Sequence, residues 1–456
     1  MKNFLNRVLT TLFLFNIILT AQTEHSLIQY VNPFIGTANG GNTFPGAVVP
    51  WGMISISPHN ASSPSGYLYG EKYFYGFGHN HLSGTGCADL GSVIINISKP
   101  GNNSRSEDFK FTYKNESASP GYYSVFLNEP EVLAEAAVTE RSGITRFTPA
   151  KAGKMEFILD AGKSLNITGG GKIEIISDTE ISGYNISGGF CGEENRQKTF
   201  FYLRFNQPVI STEIFSSGNK TNSHLIEGKD IPIFLKAIFE LSEENPLLVK
   251  TGISYVSEKN AKENLDTEIP HWNFEMIKKN AEEKWNENLS KIISEGGTEE
   301  DKVKFYTALY HILIHPNIIS DVNGEYPLMG GGGVGKYSGR NRYTIFSLWD
   351  TYRTLHPFLT MIYPDKQSEI IKSMLDMYIE SGYLPKWELT GAETYMMVGD
   401  AAATVIADSY IKGITDFDID TALEAMIKPV LIDSGTTAPP VRAGYHELLQ
   451  YGYIPF

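Results

Sequence analysis

Cysteine is scarce in this chain: Cys87 and Cys191 are its only two in 456 residues. A fold resting on a disulfide framework is therefore excluded; a single bridge is allowed by the count, but the spacing does not establish it. Positive charge is also short, with 38 Lys and Arg against 52 Asp and Glu and a formal net charge of −14. Nucleic acid is an unlikely partner for such a balance. Beyond the first twenty or so residues no stretch reaches the roughly 18 apolar residues of a membrane helix, so a soluble product with no membrane partner is expected. Fixed-period repeats and low-complexity tracts are missing as well. What remains is the profile of an ordinary globular protein, 41% hydrophobic and 20% charged, in a chain too long for one core, since single cores stop growing at roughly 250–300 residues. The aromatic share of 12% suits carbohydrate recognition and equally suits any large β-rich protein.

Lys2 and Arg7, the apolar run "VLTTLFLFNIILT" and the small Ala21 read as a secretory signal over residues 1–21, cleaved after Ala21, which implies a secreted or periplasmic protein. From about Ile28 to Ser257 the chain is a succession of short alternating or β-branched runs separated by Gly, Pro and Asn, among them "GSVIINIS", "YYSVFL", "KMEFIL" and "TFFYLRF". Many strands without intervening helices predict a β-sandwich, taken as residues 22–265. "NFEMIKKNAEEKWNENLSKI", residues 273–292, has no Gly or Pro and predicts a connecting helix within a linker at 266–297. Residues 298–456 read as helical. "TEEDKVKFYTALYHILIHP" opens with Thr298 and Asp301 at capping-box spacing and carries Val303, Tyr306, Tyr310 and Leu313 at helical intervals. "KQSEIIKSMLDMYIESG" repeats the pattern with Ile370, Ile371, Met374, Leu375 and Tyr378 before Gly382.

Several stretches carry candidate chemistry. "GGGGVGKY", residues 330–337, has the Gly-x4-Gly-Lys spacing of a phosphate loop, but Tyr337 stands where Ser or Thr would bind magnesium and no strand precedes it, so a glycine-rich surface loop is the preferred reading. "GHNHLSGTG" puts His79 and His81 two apart in what reads as a polar loop at a cleft. "GGNTFPGAVVPWG" offers Asn42, Thr43 and Phe44 for a shaped rim. The helical half holds the stronger cluster. "FSLWDTYR" supplies Trp349, Asp350 and Arg353, and "LPKWELTGAETYMMVGD" supplies Trp387, Glu388 and Glu393. Sugars are held by aromatic rings against their C–H faces and by carboxylates that accept from neighbouring hydroxyls. Each acid alone could equally be a helix cap or half of a buried ion pair.

Taken in order, "VNPFIGTANGGNTFPGAVVPWGMISISP", "GFGHNHLSGTGCADLG", "FYTALYHILIHPNIISDVNGEY", "FSLWDTYRTLHPF", "LPKWEL" and "GDAAATVIADSYIKG" resemble the exo-acting α-mannosidases of glycoside hydrolase family 92. The resemblance implies a multidomain β-then-α chain: an N-terminal β-sandwich (supersandwich), a connecting helix and an (α/α)6 barrel. It also implies calcium and the inverting hydrolysis of α-mannosides of N-glycans and mannans. By resemblance, Trp349 and Asp350 hold the terminal mannose, Glu388 and Glu393 line the same pocket, and loops around Asn42–Phe44 and Gly78–Gly86 close it. The family's general acid and base lie in motifs resembling Gly-Asn-Glu-Pro-Ser-His and Asn-Asp-Asp-x-Gly-Gln-Met-Ser, and neither occurs in this sequence. The expectation is an incomplete barrel, a truncated catalytic portion at 298–456 that is inactive as written, acid and base that would follow residue 456, and poor solubility from uncovered apolar surface. The alternative is a non-catalytic carbohydrate-binding fragment.

Overall fold

In the computed structural model, residues 26–455 are described apart from 102, 222 and 432–443. The expected signal segment and its cleavage point lie outside the described residues. Two antiparallel sheets form the first half. One has eight strands, in the spatial order Ala47–Val48, Ser55–His59, Gly76–Gly78, Ile94–Ser98, Gly153–Asp160, Ile233–Leu241, Ser211–Ser216 and Asn219–Thr221. The other has ten, with Arg196–Phe205, Leu247–Ser254 and Ser142–Pro149 at its centre. Register follows the apolar alternation: Phe157 sits opposite Ala237 on one side and Ile97 on the other. Inward side chains of both sheets, such as Ile95, Phe157 and Leu235 from one and Phe147, Phe201 and Val249 from the other, share one buried cluster. Phe157 and Phe205 meet edge to face at 5.1 Å, a geometry that aromatic quadrupoles favour. The β-sandwich read from the alternating runs is the observed fold.

The last sandwich strand ends at Ser254 and is followed by α1 (Glu258–Glu268), a helix that sequence patterning did not announce and that straddles the expected border at 265. Its composition is polar, and its buried residues include only two apolar ones, Ala261 and Leu265. It lies flat on the ten-stranded sheet because Gly252 leaves room: a Cβ there would meet the Ala261 carbonyl oxygen at 2.2 Å. The connecting helix α2 (Phe274–Leu289) starts where expected, with the Asn273 side chain accepting from the Met276 amide at 3.1 Å. The capping box of α3 (Glu299–Ile312) is formed on both sides, Thr298 Oγ1 accepting from the Asp301 amide and Asp301 Oδ2 from the Thr298 amide.

The second half continues through α4 (Leu348–Thr351), α5 (Leu355–Ile362), α6 (Pro364–Ser381), α7 (Ala401–Ile411), α8 (Ile419–Leu431) and α9 (Tyr445–Tyr451). Helix α6 buries Ile370, Ile371, Met374, Leu375 and Tyr378, as its spacing predicted, and stops at Gly382, whose φ of 89° a left-handed cap requires. Helices α5 to α8 pack on one another as in an (α/α) barrel. Their core is not self-contained. It takes in Phe44, Val48 and Trp51 from sandwich loops and Trp285 from α2. The Trp285 indole N–H donates to the Val48 carbonyl at 2.6 Å, the Trp51 amide donates to the Leu313 carbonyl at 2.9 Å, and the Ile318 amide donates to the Trp51 carbonyl at 2.8 Å. Arg141 reinforces this seam, bonding the Ser320 carbonyl, Glu268 and Asn341 from a nearly fully buried position.

Because Trp285 is wholly buried between the two halves, truncating it removes both its packing and its bond to Val48. Trp285→Ala is expected to lower the unfolding free energy by about 3–5 kcal/mol, read from urea denaturation followed by circular dichroism.

Candidate functional site

On the seam lies a cleft of about 480 Å³. The sandwich contributes Thr43, the loop Ser83–Cys87 and the turn Phe190–Cys191; the helical half contributes His311 and His315, the segment Ile345–Ser347, Asp350, His356 and, as a wall, Trp387 with Met396 and Met397. The two rim segments of the sandwich are joined covalently by a Cys87–Cys191 disulfide, so the one bridge left open by the sequence is formed. Phe190, next to that bridge, packs on the Trp387 ring with centroids 4.3 Å apart, and the two belong to a small buried cluster with Leu82, Leu90, Ile345 and Leu389. The aromatic wall is thus built across the seam.

The only carboxylate among the described residues lining this cleft is Asp350. It is exposed, at the start of the short helix α4, and its Oδ2 accepts from Ser347 Oγ at 2.5 Å. Trp349 beside it is half-buried and turns away, its ring under the Arg353 guanidinium at 4.6 Å and 6.1 Å from Tyr352. Arg353, itself exposed, bonds the Trp349 carbonyl at 2.8 Å. Neither side chain lines the cleft. Of the rim candidates, Thr43 faces the cleft and Asn42, at φ 54°, accepts from the Gly84 amide through its carbonyl at 2.8 Å, tying the two rim loops together.

The expectation that Phe44, His79 and His81 form the cleft rim is corrected by their burial. Phe44 is fully covered and packs on the His81 ring at 5.2 Å. His79 bonds the Val93 carbonyl at 2.6 Å, and His81 bridges Ser55 Oγ and His59 Nε2, each at 2.9 Å. Burial drives the ionisation of all three histidines down, His59 to about 3 and His79 to about 4, so they are neutral hydrogen-bonding groups of the interior. The glycines around them admit chain packing; the rim is made a few residues later, at 83–87.

The histidines that do face the cleft are three that motif reading passed over. His315 Nε2 accepts from the Ser83 amide at 2.9 Å, so its proton sits on Nδ1, which donates to Asn317 Oδ1. His311 Nε2 donates to the Ile35 carbonyl at 3.0 Å. His356 Nδ1 donates to Gln367 Oε1 at 3.1 Å. Desolvation holds His315 and His356 at about 4. No local pattern announced them: His311 is in the last turn of α3, whereas His315 lies beyond the helix end, so what sets both at the cleft is the turn that follows the helix.

Glu388 and Glu393 belong to the hairpin Trp387–Leu389/Ala392–Glu393 and do not line the first cleft. Glu388 is fully buried and accepts from Thr344 Oγ1 at 2.8 and 3.0 Å, from the Ile345 amide at 3.0 Å and from the Gly391 amide at 2.6 Å. Glu393 accepts from the amides of Lys386, Trp387 and Tyr395 at 2.8–2.9 Å. Both carboxylates therefore hold backbone in shape, including Ile345 at φ 66° and Tyr395 at φ 57°. Among the described residues no group of three or more His, Cys, Asp or Glu is placed to hold a metal ion. With Asp350 as its one carboxylate, the cleft does not fit calcium, which takes six to eight oxygens.

Burial of Glu388 outweighs its four hydrogen bonds and lifts its carboxyl to about 7. Between roughly pH 4.5 and 7 the folded chain keeps a proton that the unfolded chain has released, so stability falls as pH rises through that window, by about 3 kcal/mol. Glu388→Gln is expected to flatten this part of the stability profile; urea midpoints at pH 5 and 7 that differ as much as in the unaltered chain would contradict it.

Comparison with known proteins agrees with this architecture. An α-mannosidase of family GH92 from Bacteroides thetaiotaomicron is 30% identical with a TM-score of 0.87, the match covering 94% of this chain and 59% of that one. Its complex with mannoimidazole gives 31% identity over 95% and 58% of the two chains, again at 0.87. An inverting mannosidase of the same family and organism is 25% identical over 96% and 59%, with a TM-score of 0.81. A fungal protein from Arthroderma benhamiae named as an uncharacterized secreted glycosidase is 27% identical over 95% of this chain and 56% of its own length. The chain thus spans a little under three fifths of each of these relatives. The glycosyl hydrolase family 92 N-terminal domain matches residues 30–254 and the family's catalytic domain matches residues 260–456, and the chain accordingly belongs to glycosyl hydrolase family 92.

Proposed function

We propose that the chain holds the terminal mannose of α-mannosides, such as those of N-glycans and mannans, in the first cleft, as the sugar-binding part of a secreted or periplasmic exo-α-mannosidase of inverting type. The single observation that carries this is the composition of the cleft: one exposed carboxylate, Asp350, in an otherwise uncharged and largely apolar lining that is backed by the buried Trp387–Phe190 pair across the seam. Asp350 Oδ1 has no hydrogen bond among the described residues and accepts from a sugar hydroxyl, while the exposed Met397 side chain supplies apolar surface in the same cleft. His356, neutral above about pH 4, adds a polar ring edge without charge.

The same observation separates binding from turnover. Inversion needs two carboxyl groups roughly 6.5–9.5 Å apart, one as acid and one as base. Glu388 has a carboxyl at about 7 that would suit an acid, but its oxygens are closed in by Thr344, Ile345 and Gly391. Hydrolysis in the family manner therefore calls for the acid and base motifs that this sequence does not contain. Apolar side chains such as Ile411, Met361 and Ile379 are 82%, 69% and 68% exposed, surface left uncovered by the described residues. The calcium implied by family resemblance has too few ligands in this cleft.

Isothermal calorimetry with methyl α-mannoside should therefore give binding that EDTA leaves unchanged and that Asp350→Ala weakens by about tenfold or more, equivalent to about 1.4 kcal/mol. An assay with a chromogenic α-mannoside should show no sugar release. Release abolished by Asp350→Ala would favour turnover within the chain, and a folded sample without binding would refute the reading.

A further inference from the structure

Behind the hairpin that walls the first cleft lies a second, of about 450 Å³, between the start of the Arg196–Phe205 strand, the glycine-rich segment at Met329–Gly331 and the face of the hairpin that carries Thr390 and Tyr395. The wall is shared residue by residue. Tyr395 faces the second cleft and Met396 and Met397 the first; likewise Cys191 borders the first and Arg196 the second. The glycine-rich stretch, unassigned by any phosphate chemistry, is bonded to this wall through the Gly330 amide and the Gly391 carbonyl at 2.8 Å.

Three observations mark this cleft as built for a ligand. Thr390 is β-branched yet held at φ 49°, and Tyr395 at φ 57°; side chains of these kinds adopt left-handed backbone at a cost, and such positions concentrate at functional sites. Thr390 is only 6% exposed, and its hydroxyl, at the cleft wall, has no hydrogen-bond partner among the described residues. Tyr383 and Tyr395 present a pair of hydroxyls 2.6 Å apart at the opening, with Tyr395 exposed.

The chemistry selects a neutral, polyhydroxylated ligand. The charges at this cleft offset one another: Arg196 is paired with Asp230 at 2.5 Å, and Glu393, which accepts from three backbone amides, balances Lys198. Lys198 lies over the Tyr184 ring at 3.9 Å. Tyrosine hydroxyls and ring faces, a threonine hydroxyl and glycine backbone are groups that bind sugar hydroxyls and C–H faces. We propose that the second cleft binds a further stretch of the same neutral manno-oligosaccharide whose terminal residue enters the first, giving the chain two glycan contacts on either side of one hairpin. The choice of sugar rests on the reading of the first cleft; the existence of the second site does not.

The test is calorimetry on the full chain with methyl α-mannoside and with an α-linked mannopentaose. The pentaose is expected to bind about tenfold tighter than the monosaccharide. Tyr383→Ala combined with Tyr395→Ala should erase that advantage and leave the monosaccharide affinity unchanged. Should that double variant lose its native circular dichroism, Tyr395→Phe, which keeps the ring, is read instead and should cost the pentaose about threefold. In Asp350→Ala the monosaccharide should weaken about tenfold or more while the pentaose, weakened too, still binds through the second cleft and stays sensitive to the tyrosine variants, which separates failure of the first cleft from failure of the second. Pentaose binding no tighter than the monosaccharide, or unaffected by the tyrosine variants, would overturn the proposal.

Discussion

Everything of functional interest hangs on the seam between the sandwich and the helices. The Val48–Gly52 loop is held from the helical side by the indole of Trp285, by Leu313 and Ile318 backbone and by Asn317, whose side-chain amide donates to the Gly52 carbonyl at 2.6 Å. Trp51 and Phe44 complete a core that belongs to neither half alone. Each interaction is modest by itself, of order 1 kcal/mol for a hydrogen bond, but the buried indole adds several more, and breaking the seam would expose both surfaces at once. A cleft with one rim from each half exists only while they are docked.

In the hairpin beyond the seam, two carboxylates hold backbone in shape. Glu388 and Glu393 accept seven hydrogen bonds between them, five from backbone amides and two from the Thr344 hydroxyl. They hold Ile345, Trp387 and Tyr395 in place, residues that face one cleft or the other. Asp350, exposed and held by one serine, has the opposite environment. Two kinds of acid in neighbouring motifs thus divide into those that shape the walls and one that meets solvent.

Much of the fold was legible because it is local. Period-two alternation gave the strands, and period-3.6 spacing with Thr298, Asn273 and Gly382 at the ends gave the helices. Helix α1 escaped because its apolar face is nearly two residues wide and is completed by Gly252 on a strand beneath it. The histidine motif misled for a related reason. His79 and His81 sit among glycines, which read as a polar loop at a cleft, yet the glycines admit close packing that leaves both rings buried and neutral.

The sequence by itself determined the order of sandwich, connecting helix and helical half, the caps of its helices and its family, since these are carried by short-range pattern and by ordered motifs. Only the tertiary structure decided which polar residues meet solvent, which hold backbone, and that Cys87 pairs with Cys191. The reason is separation along the chain. The contacts that cover His81 or close Glu388 into a hairpin, or that join Ser83 to His315 and Val48 to Trp285, link residues from tens to more than two hundred positions apart. A side chain's exposure is set by whatever packs over it, and no local pattern records what that will be.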